Sequence, residues 1–178
     1  MKISEYLVGK KIAVNDKMQK RYHYLLSKEI GELASDFHQF DFWPKLTPEQ
    51  MLNYGVFEGK YLNDCQEELP EEWFINSRDK RSEIADVKFN YFKTKSRQSL
   101  RTWQEKKWII GDDPRGWFQW YCRYYLGRRT DYDNKQIARW KSFKRHLGQI
   151  RKNCSVKDLN CRPRQRQALL QWAYNPFI

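Results

Sequence analysis

Aromatic rings and arginines alternate closely in one stretch of the chain, residues 111–129, whose sequence is GDDPRGWFQWYCRYYLGRR. Six of these nineteen residues are Trp, Phe or Tyr, and four are Arg. A buried core favours the rings and a solvated face favours the guanidinium groups, whereas a surface that binds a flat, anionic partner uses both. A nucleobase stacked on an exposed ring contributes about 1–3 kcal/mol, and arginines neutralise the phosphates. The stretch therefore predicts contact with nucleic acid.

The candidate binding side chains lie in this stretch and in the arginine-rich C-terminus. Trp117, Trp120 and Tyr121 follow helical spacing and are predicted to be core, whereas the rings and arginines at the end of that helix are predicted to reach a partner. In the run CRPRQRQ, arginines lie in the first turn of a predicted helix, where the helix dipole disfavours positive charge. This position favours phosphate binding beside the exposed N–H groups. The predicted nucleic-acid-binding residues are Arg115, Arg123, Tyr124, Tyr125, Arg128, Arg129, Arg162, Arg164 and Arg166.

Positive charge is concentrated in the second half of the chain. The 178 residues carry a net charge of +12. Residues 1–89 contain 13 Lys and Arg against 16 Asp and Glu, a net of −3, and residues 90–178 contain 21 against 6, a net of +15. This balance favours polyanion partners. A predicted helix over 133–152 carries cations on all sides, some of which are predicted to serve solubility alone: Lys135, Arg139, Lys141, Lys144, Arg145, Arg151 and Lys152.

Asp112 and Asp113 are the candidate catalytic residues. With Asp131 and Asp133 they bracket the aromatic helix, and acids kept within a basic segment can act as a general base or orient arginines. Helix capping explains the same acids. The run WIIGDDPRGW is similar to the water-activating GQDPY segment of uracil-DNA glycosylases, with Asp113 at the matching acid. The chain lacks the His-Pro-Ser motif and the alternating β/α pattern of that family, so catalysis stays open.

The cysteines and histidines give a poor metal-binding pattern. His146, Cys154 and Cys161 are separated by seven and six residues, with Cys122 as a possible fourth ligand, and no Cys-x-x-Cys pair occurs. We therefore predict no metal and no cofactor. The four cysteines, which include Cys65, are predicted to be free and mostly buried thiols.

The helix signals predict an all-α fold with at least five helices in one domain. Capping residues precede apolar periodic segments at five positions, and strands rich in Val and Ile are missing. These five helix starts are Thr47, Ser99, Pro114, Asp133 and Pro163. The predicted organisation is a possible N-terminal arm (1–20), an acidic helical scaffold (21–89, with a helix over 21–40) and a basic helical half (90–178). The sequence shows no signal peptide and no membrane span, which predicts a cytoplasmic protein, or a nuclear one in a eukaryote.

Three sequence blocks together resemble a group of small uncharacterised proteins in which they occur in the same order. The blocks are GVFEGKYLNDC, DPRGWFQWYCRYYLGRR and CRPRQRQALLQWAY, and the resemblance covers about residues 47–174. It implies that the three blocks belong to one domain, and it implies no activity.

These patterns together predict a nucleic-acid-binding protein that uses Lys and Arg contacts to phosphates and stacking on exposed rings. DNA and RNA are both open at this point. Two alternatives remain. One is an enzyme that modifies or excises a flipped or single-stranded base, which predicts a concave site with an uncapped Asp inside. The other is a structural or inhibitory protein whose basic face binds an acidic protein partner.

Overall fold

Short helices and turns build most of the fold. A computed structural model describes residues 1–32 and 42–178. Within these two ranges, no helix has the length and apolar character needed to span a bilayer. The α-helices, in chain order, are α1 (Pro48–Tyr54), α2 (Glu71–Asn76), α3 (Leu100–Glu105), α4 (Trp117–Leu126), α5 (Asp133–Ser142), α6 (Lys144–Asn153) and α7 (Pro163–Gln171).

An antiparallel hairpin corrects the all-α prediction. Strand β1 (Lys11–Val14) pairs with β2 (Tyr22–Leu25) and forms a two-stranded sheet beside the helices. Burial alternates along this segment, since Tyr24 and Leu26 are buried while Leu25 is exposed. This two-residue period is that of a strand. The helix predicted over 21–40 is therefore wrong at β2, and its part over 33–40 lies outside the described residues.

The capping signals correctly located several helix ends. Thr47 forms a capping box with Gln50 at the start of α1, and the Ser99 hydroxyl accepts a hydrogen bond from the Thr102 N–H at the start of α3. Pro163 is the first residue of α7. The helix start predicted at Pro114 is three residues too early, because residues 113–116 form a turn and α4 begins only after it.

The long helix predicted over 133–152 is divided at Phe143. The Phe143 N–H donates to the Trp140 carbonyl, three residues back, which tightens the turn between α5 and α6. The ring of Phe143 lies 3.9 Å, centroid to centroid, from that of Trp172 in the final turn of the fold. The break thus directs α6 along the C-terminal segment, so that the cations of α5 and α6 are not on one straight helix.

Helix α4 lies in the centre of the aromatic core. Trp117, Trp120 and Tyr121 are all buried, as the helical spacing predicted. Phe42 is the common neighbour of several of these rings, with its centroid 5.7 Å from that of Trp120 and 6.0 Å from that of Tyr121. The ring of Trp140 in α5 is nearly perpendicular to that of Phe42, with the two centroids 4.9 Å apart. The core rings of residues 111–129 are therefore a structural element, and partner contacts must come from other side chains.

Gly127 ends α4 in a conformation that other residues rarely adopt. Its φ is +113°, and a Cβ there would lie 2.0 Å from the carbonyl oxygen of Lys28. We predict that Gly127→Ala lowers the free energy of unfolding by at least about 2 kcal/mol, through backbone strain and this contact. Gly148→Ala is the control, since a Cβ there meets nothing within 4 Å. It should stabilise α6 by about 0.5–1 kcal/mol. Equal urea-denaturation midpoints for the two variants would contradict the prediction.

Candidate functional site

A network of buried charges surrounds the guanidinium of Arg123, which is 0% exposed. It donates to both carboxylate oxygens of Glu68, at 2.8 and 2.9 Å, and to Asp113 at 3.0 Å. Two further acceptors, the backbone carbonyl of Asp112 and the side chain of Gln19, lie at 2.8 Å. Every donor direction of this arginine is thus directed at a protein group.

Arg128 completes a cluster of two acids and two arginines, which we call the buried ion cluster: Glu68, Asp113, Arg123 and Arg128. The guanidinium of Arg128 donates to Asp113 at 2.6 Å, and the hydroxyl of Tyr132 donates to the same carboxylate at 3.1 Å. Gly127 positions this arginine, because the turn after α4 directs the next side chain back toward the 111–116 turn. The opposite charges balance, so the cluster holds three segments of the chain together without a net charge: the one around Glu68, the 111–116 turn and the end of α4.

The buried ion cluster removes several predicted binding residues from the surface. Arg123 and Arg128 are enclosed within it, and Arg115 is buried against Asp16 through two hydrogen bonds of 3.0 and 3.1 Å. Tyr124, 1% exposed, is a core ring. The three arginines look like surface groups in the sequence because the acids that they pair with are distant in it. We correct the role of all four side chains to a structural one.

Asp113 and Asp112 have different surroundings, since Asp113 is buried and Asp112 is exposed to solvent. Both carboxylate oxygens of Asp113 are bound by guanidiniums, one by Arg123 and one by Arg128. Asp112 is exposed, and its only side-chain contact among the described residues is with the hydroxyl of Tyr22 at 3.5 Å. The 111–116 turn is therefore a structural corner.

The three arginines of the C-terminal run CRPRQRQ differ in how far they are buried. Arg166 is buried and donates to backbone oxygens at Asp158, Cys161, Pro176 and Ile178, so it clamps the C-terminal segment. Arg162 and Arg164 are not buried, and Arg164 is exposed.

The two remaining predicted residues lie near the end of α4. Arg129 is partly buried, with its guanidinium 3.7 Å from the ring centroid of Tyr124 and donating to the Glu32 carbonyl. Tyr125 is partly buried against Trp73. The nine predicted residues therefore do not form one site, and only Arg164 lines the larger cleft described next.

A cleft of about 560 Å³ lies between α3, the start of α4, and helices α5 to α7. We call it the basic cleft. Over residues 1–32 and 42–178, its lining contains four arginines, one histidine and several aromatic rings, and no Asp or Glu. The lining includes Arg97, Trp103, Trp108, Arg139, Phe143, Arg145, His146, Arg164, Gln165 and Trp172.

Three of the four arginines in the basic cleft have no acidic partner. Arg97 donates to Glu58 at 2.7 Å. Among residues 1–32 and 42–178, no carboxylate oxygen lies within 4.0 Å of Arg139, Arg145 or Arg164. Since the lining offers no carboxylate either, the basic cleft carries uncompensated positive charge.

Arg139 is held firmly although it lacks a counter-ion. Its guanidinium donates to the backbone carbonyl of Trp108 at 2.6 Å and to the side-chain oxygen of Gln136 at 3.3 Å. It also lies 5.7 Å from the ring centroid of Trp172. Burial lowers the pKa of Arg139 below its ordinary value. A bound anion would offset this loss of solvation.

Aromatic rings line the basic cleft on two sides. Trp117, Trp172 and Phe143 form a column from the core outward, with successive centroids 4.6 and 3.9 Å apart. Trp103 and Trp108 come from α3 and the segment after it. Trp108 is 39% exposed, which is unusual for so large a ring. Flat, water-accessible ring surface therefore lies in the same cleft as the unpaired arginines.

A second cleft, of about 360 Å³, is acidic and has a different character. Asp16, Asp64, Cys65 and Glu68 line it. One ligand atom each from Asp16, Cys65 and Glu68 lies within 4.8 Å of the others. Arginines already supply the positive charge there, because Arg115 contacts Asp16 and Asp64, and Glu68 belongs to the buried ion cluster. This convergence is therefore explained by ion pairs.

The cysteines divide into a bonded pair and a buried pair. Cys154 and Cys161 form a disulfide between the end of α6 and the start of α7, which corrects the prediction of four free thiols. The turn between the helices brings their Cα atoms to 5.7 Å, a distance typical of disulfides. Cys65 and Cys122 are free and buried, as expected.

We predict a defined pattern of thiol reactivity at pH 8. Burial raises the pKa of Cys65 to about 12 and that of Cys122 well above its usual value, so neither thiol ionises near neutral pH. The native protein should therefore not react with Ellman's reagent. Unfolding without reductant should release two thiols, and unfolding after reduction four. Four thiols in the unreduced, unfolded protein would show that the disulfide is absent.

Sequence reasoning missed most of the basic cleft. Arg139 and Arg145 were predicted only as scattered cations of the 133–152 helix, and Trp108 was not among the predicted binding residues. The one available signal was the pairing of tryptophans with basic residues in RTWQEKKW. Comparison of the chain with family models, curated proteins and solved structures gave no match.

Proposed function

We propose that the protein binds single-stranded nucleic acid in the basic cleft. The observation that carries this proposal is a combination within one cleft: among the described residues, its lining has no carboxylate, three of its arginines have no acidic partner, and one of its tryptophans is exposed. Proteins that bind single strands combine a positive groove for the backbone with rings on which bases stack. The basic cleft has both components.

The concave shape favours a single strand over a duplex. In a duplex the faces of the bases are covered by their neighbours, so a ring inside a cleft cannot stack on them unless a base is extruded. The rings of Trp103 and Trp108 lie within the cleft wall. We expect Arg145 and Arg164, both exposed, to contact phosphates while a base lies against the tryptophans.

The two alternatives fit these features less well. A base-modifying enzyme that used the basic cleft would require an acid there, and the cleft's lining among the described residues contains no Asp or Glu. An acidic protein partner would need a broad basic surface, whereas the rings and unpaired arginines converge in a cleft of about 560 Å³. Binding without chemistry is therefore the function that the geometry favours.

The salt dependence of binding tests the proposal. Affinity for a single strand falls with salt with a log–log slope of about −0.7 per neutralised phosphate. Three unpaired arginines therefore predict a slope near −2 for a fluorescent oligonucleotide followed by anisotropy. DNA and RNA strands should both be measured, with a duplex for comparison. Absence of binding to all of them at about 50 mM salt would refute the proposal and favour the acidic protein partner.

The contribution of stacking on Trp108 to the binding affinity should be separable from that of the arginine charges. We predict that Trp108→Ala weakens single-strand binding by about 5- to 150-fold, the equivalent of about 1–3 kcal/mol, without changing the salt slope. The slope should persist because loss of a ring releases no counter-ions. Trp43→Ala removes a comparably exposed ring outside the basic cleft and is the control. Equal affinities for the two variants would exclude Trp108 as a stacking surface.

A further inference from the structure

The charge of the basic cleft exceeds that of one internal phosphate of a strand. A phosphodiester carries a single negative charge, whereas a phosphomonoester carries about −1.5 to −2 at pH 7. Three arginines of the cleft, Arg139, Arg145 and Arg164, have no carboxylate within 4.0 Å among the described residues. A terminal phosphate therefore offers these arginines more negative charge than any one internal phosphate of a strand.

The N-terminus of α7 adds a second feature that favours a phosphate. This nine-residue helix contributes its first turn, Arg164 and Gln165, to the lining of the basic cleft. No side chain caps it, and its first turn has no acid. Exposed N–H groups at a helix N-terminus bind anions and favour negative charge through the helix dipole. Arg164 and these N–H groups thus belong to the same helical turn in the wall of the cleft.

Two of the arginines are held in place before any ligand binds. Arg139 is fixed by the carbonyl of Trp108 and by Gln136. Arg97 is fixed by Glu58, and its Nε is buried without an acceptor among the described residues. Preorganised guanidiniums lose little conformational entropy on binding, which favours a specific ligand over diffuse attraction. The cleft volume of about 560 Å³ is typical of small-molecule sites.

We infer that the basic cleft recognises a nucleotide bearing a terminal phosphomonoester, with the phosphate near Arg164 and the N-terminus of α7 and the base against Trp103 and Trp108. The nucleotide is either the phosphorylated end of a strand or a free mononucleotide. This inference rests on the proposed function, because both use the same cleft, and it adds the chemical group that the cleft selects.

Strands that differ only in their ends test the inference. Eight-nucleotide single strands of one sequence are compared with a 5′-phosphate, with a 3′-phosphate, or with hydroxyl groups at both ends. We expect one phosphorylated strand to bind about 10-fold more tightly than the unphosphorylated strand at about 50 mM salt, as one additional neutralised charge requires. Arg164→Gln should bring this ratio close to one, and Arg78→Gln, an exposed arginine outside the cleft, should preserve it. Because Arg164 is exposed, the variant should fold normally.

Competition with small molecules identifies the source of the phosphate. Adenosine monophosphate should displace a phosphorylated strand at lower concentrations than either adenosine or inorganic phosphate. Equal competition by inorganic phosphate would overturn the role of the base. Equal binding of all three strands, with the expected salt slope, would overturn the inference and leave the proposed function standing. Binding of adenosine monophosphate without binding of any strand would support a free nucleotide and refute the proposed function.

Discussion

The double substitution Arg145→Gln and Arg164→Gln is expected to lower single-strand affinity roughly 50-fold at about 50 mM salt, because two phosphate contacts are lost. The salt slope should become shallower by about 1.4. Both side chains are exposed and neither has a carboxylate partner among the described residues, so their loss should leave the fold unchanged. Fluorescence anisotropy at four or five salt concentrations, with a thermal melt of each variant, measures both effects.

The matched control removes the same charge elsewhere. Lys20→Gln together with Arg78→Gln lowers the net charge equally at two exposed positions outside the basic cleft. If binding follows the overall charge of +12 and not the cleft, both double variants will lose the same affinity. That result would refute a localised site.

Removing the carboxylate at the centre of the buried ion cluster should have the largest effect on stability. Asp113→Asn leaves Arg123 and Arg128 buried with one acid between them. Removing one partner of a buried ion pair lowers the free energy of unfolding by about 3–5 kcal/mol, because the remaining charge stays buried without a counter-ion or water. For a chain of this size, that corresponds to a fall in Tm of about 6–20 °C. Differential scanning calorimetry is the appropriate measurement.

The neighbouring acid provides the control for this prediction. Asp112→Asn changes an exposed carboxylate and keeps the backbone carbonyl that accepts from Arg123. Its effect should stay within about 0.5 kcal/mol. A similar Tm for the two variants would mean that Asp113 does not hold the cluster together and that its ion pairs do not stabilise the fold.

Local signals in the sequence gave the helix ends and part of the core. The Thr47 capping box and the Ser99 cap depend on residues three apart, so the sequence contains both partners. The stripe of Trp117, Trp120 and Tyr121 likewise depends only on helical spacing. The hairpin was missed because its strands are four residues each, too short for a clear period.

Long-range pairing explains why the predicted binding residues changed. Arg115 pairs with an acid 99 positions away, and Arg123 with one 55 positions away. Nothing local distinguishes such a buried arginine from one that contacts phosphate. The basic cleft is harder still to foresee, since segments from Arg97 to Trp172 converge on it only after folding. The prediction that aromatic rings and arginines together bind nucleic acid stays a proposal, but the proposed site is now the basic cleft and not the end of α4.

Photocrosslinking tests the central proposal most directly. A single strand carrying a photoreactive base is irradiated with the protein, and the modified residues are located by mass spectrometry. The proposed function predicts modification in the segments that line the basic cleft, within 97–108, 139–146 and 164–172. Modification concentrated on other basic segments, such as 17–21 or 78–95, or an absence of crosslinks under conditions of measurable binding, would contradict it.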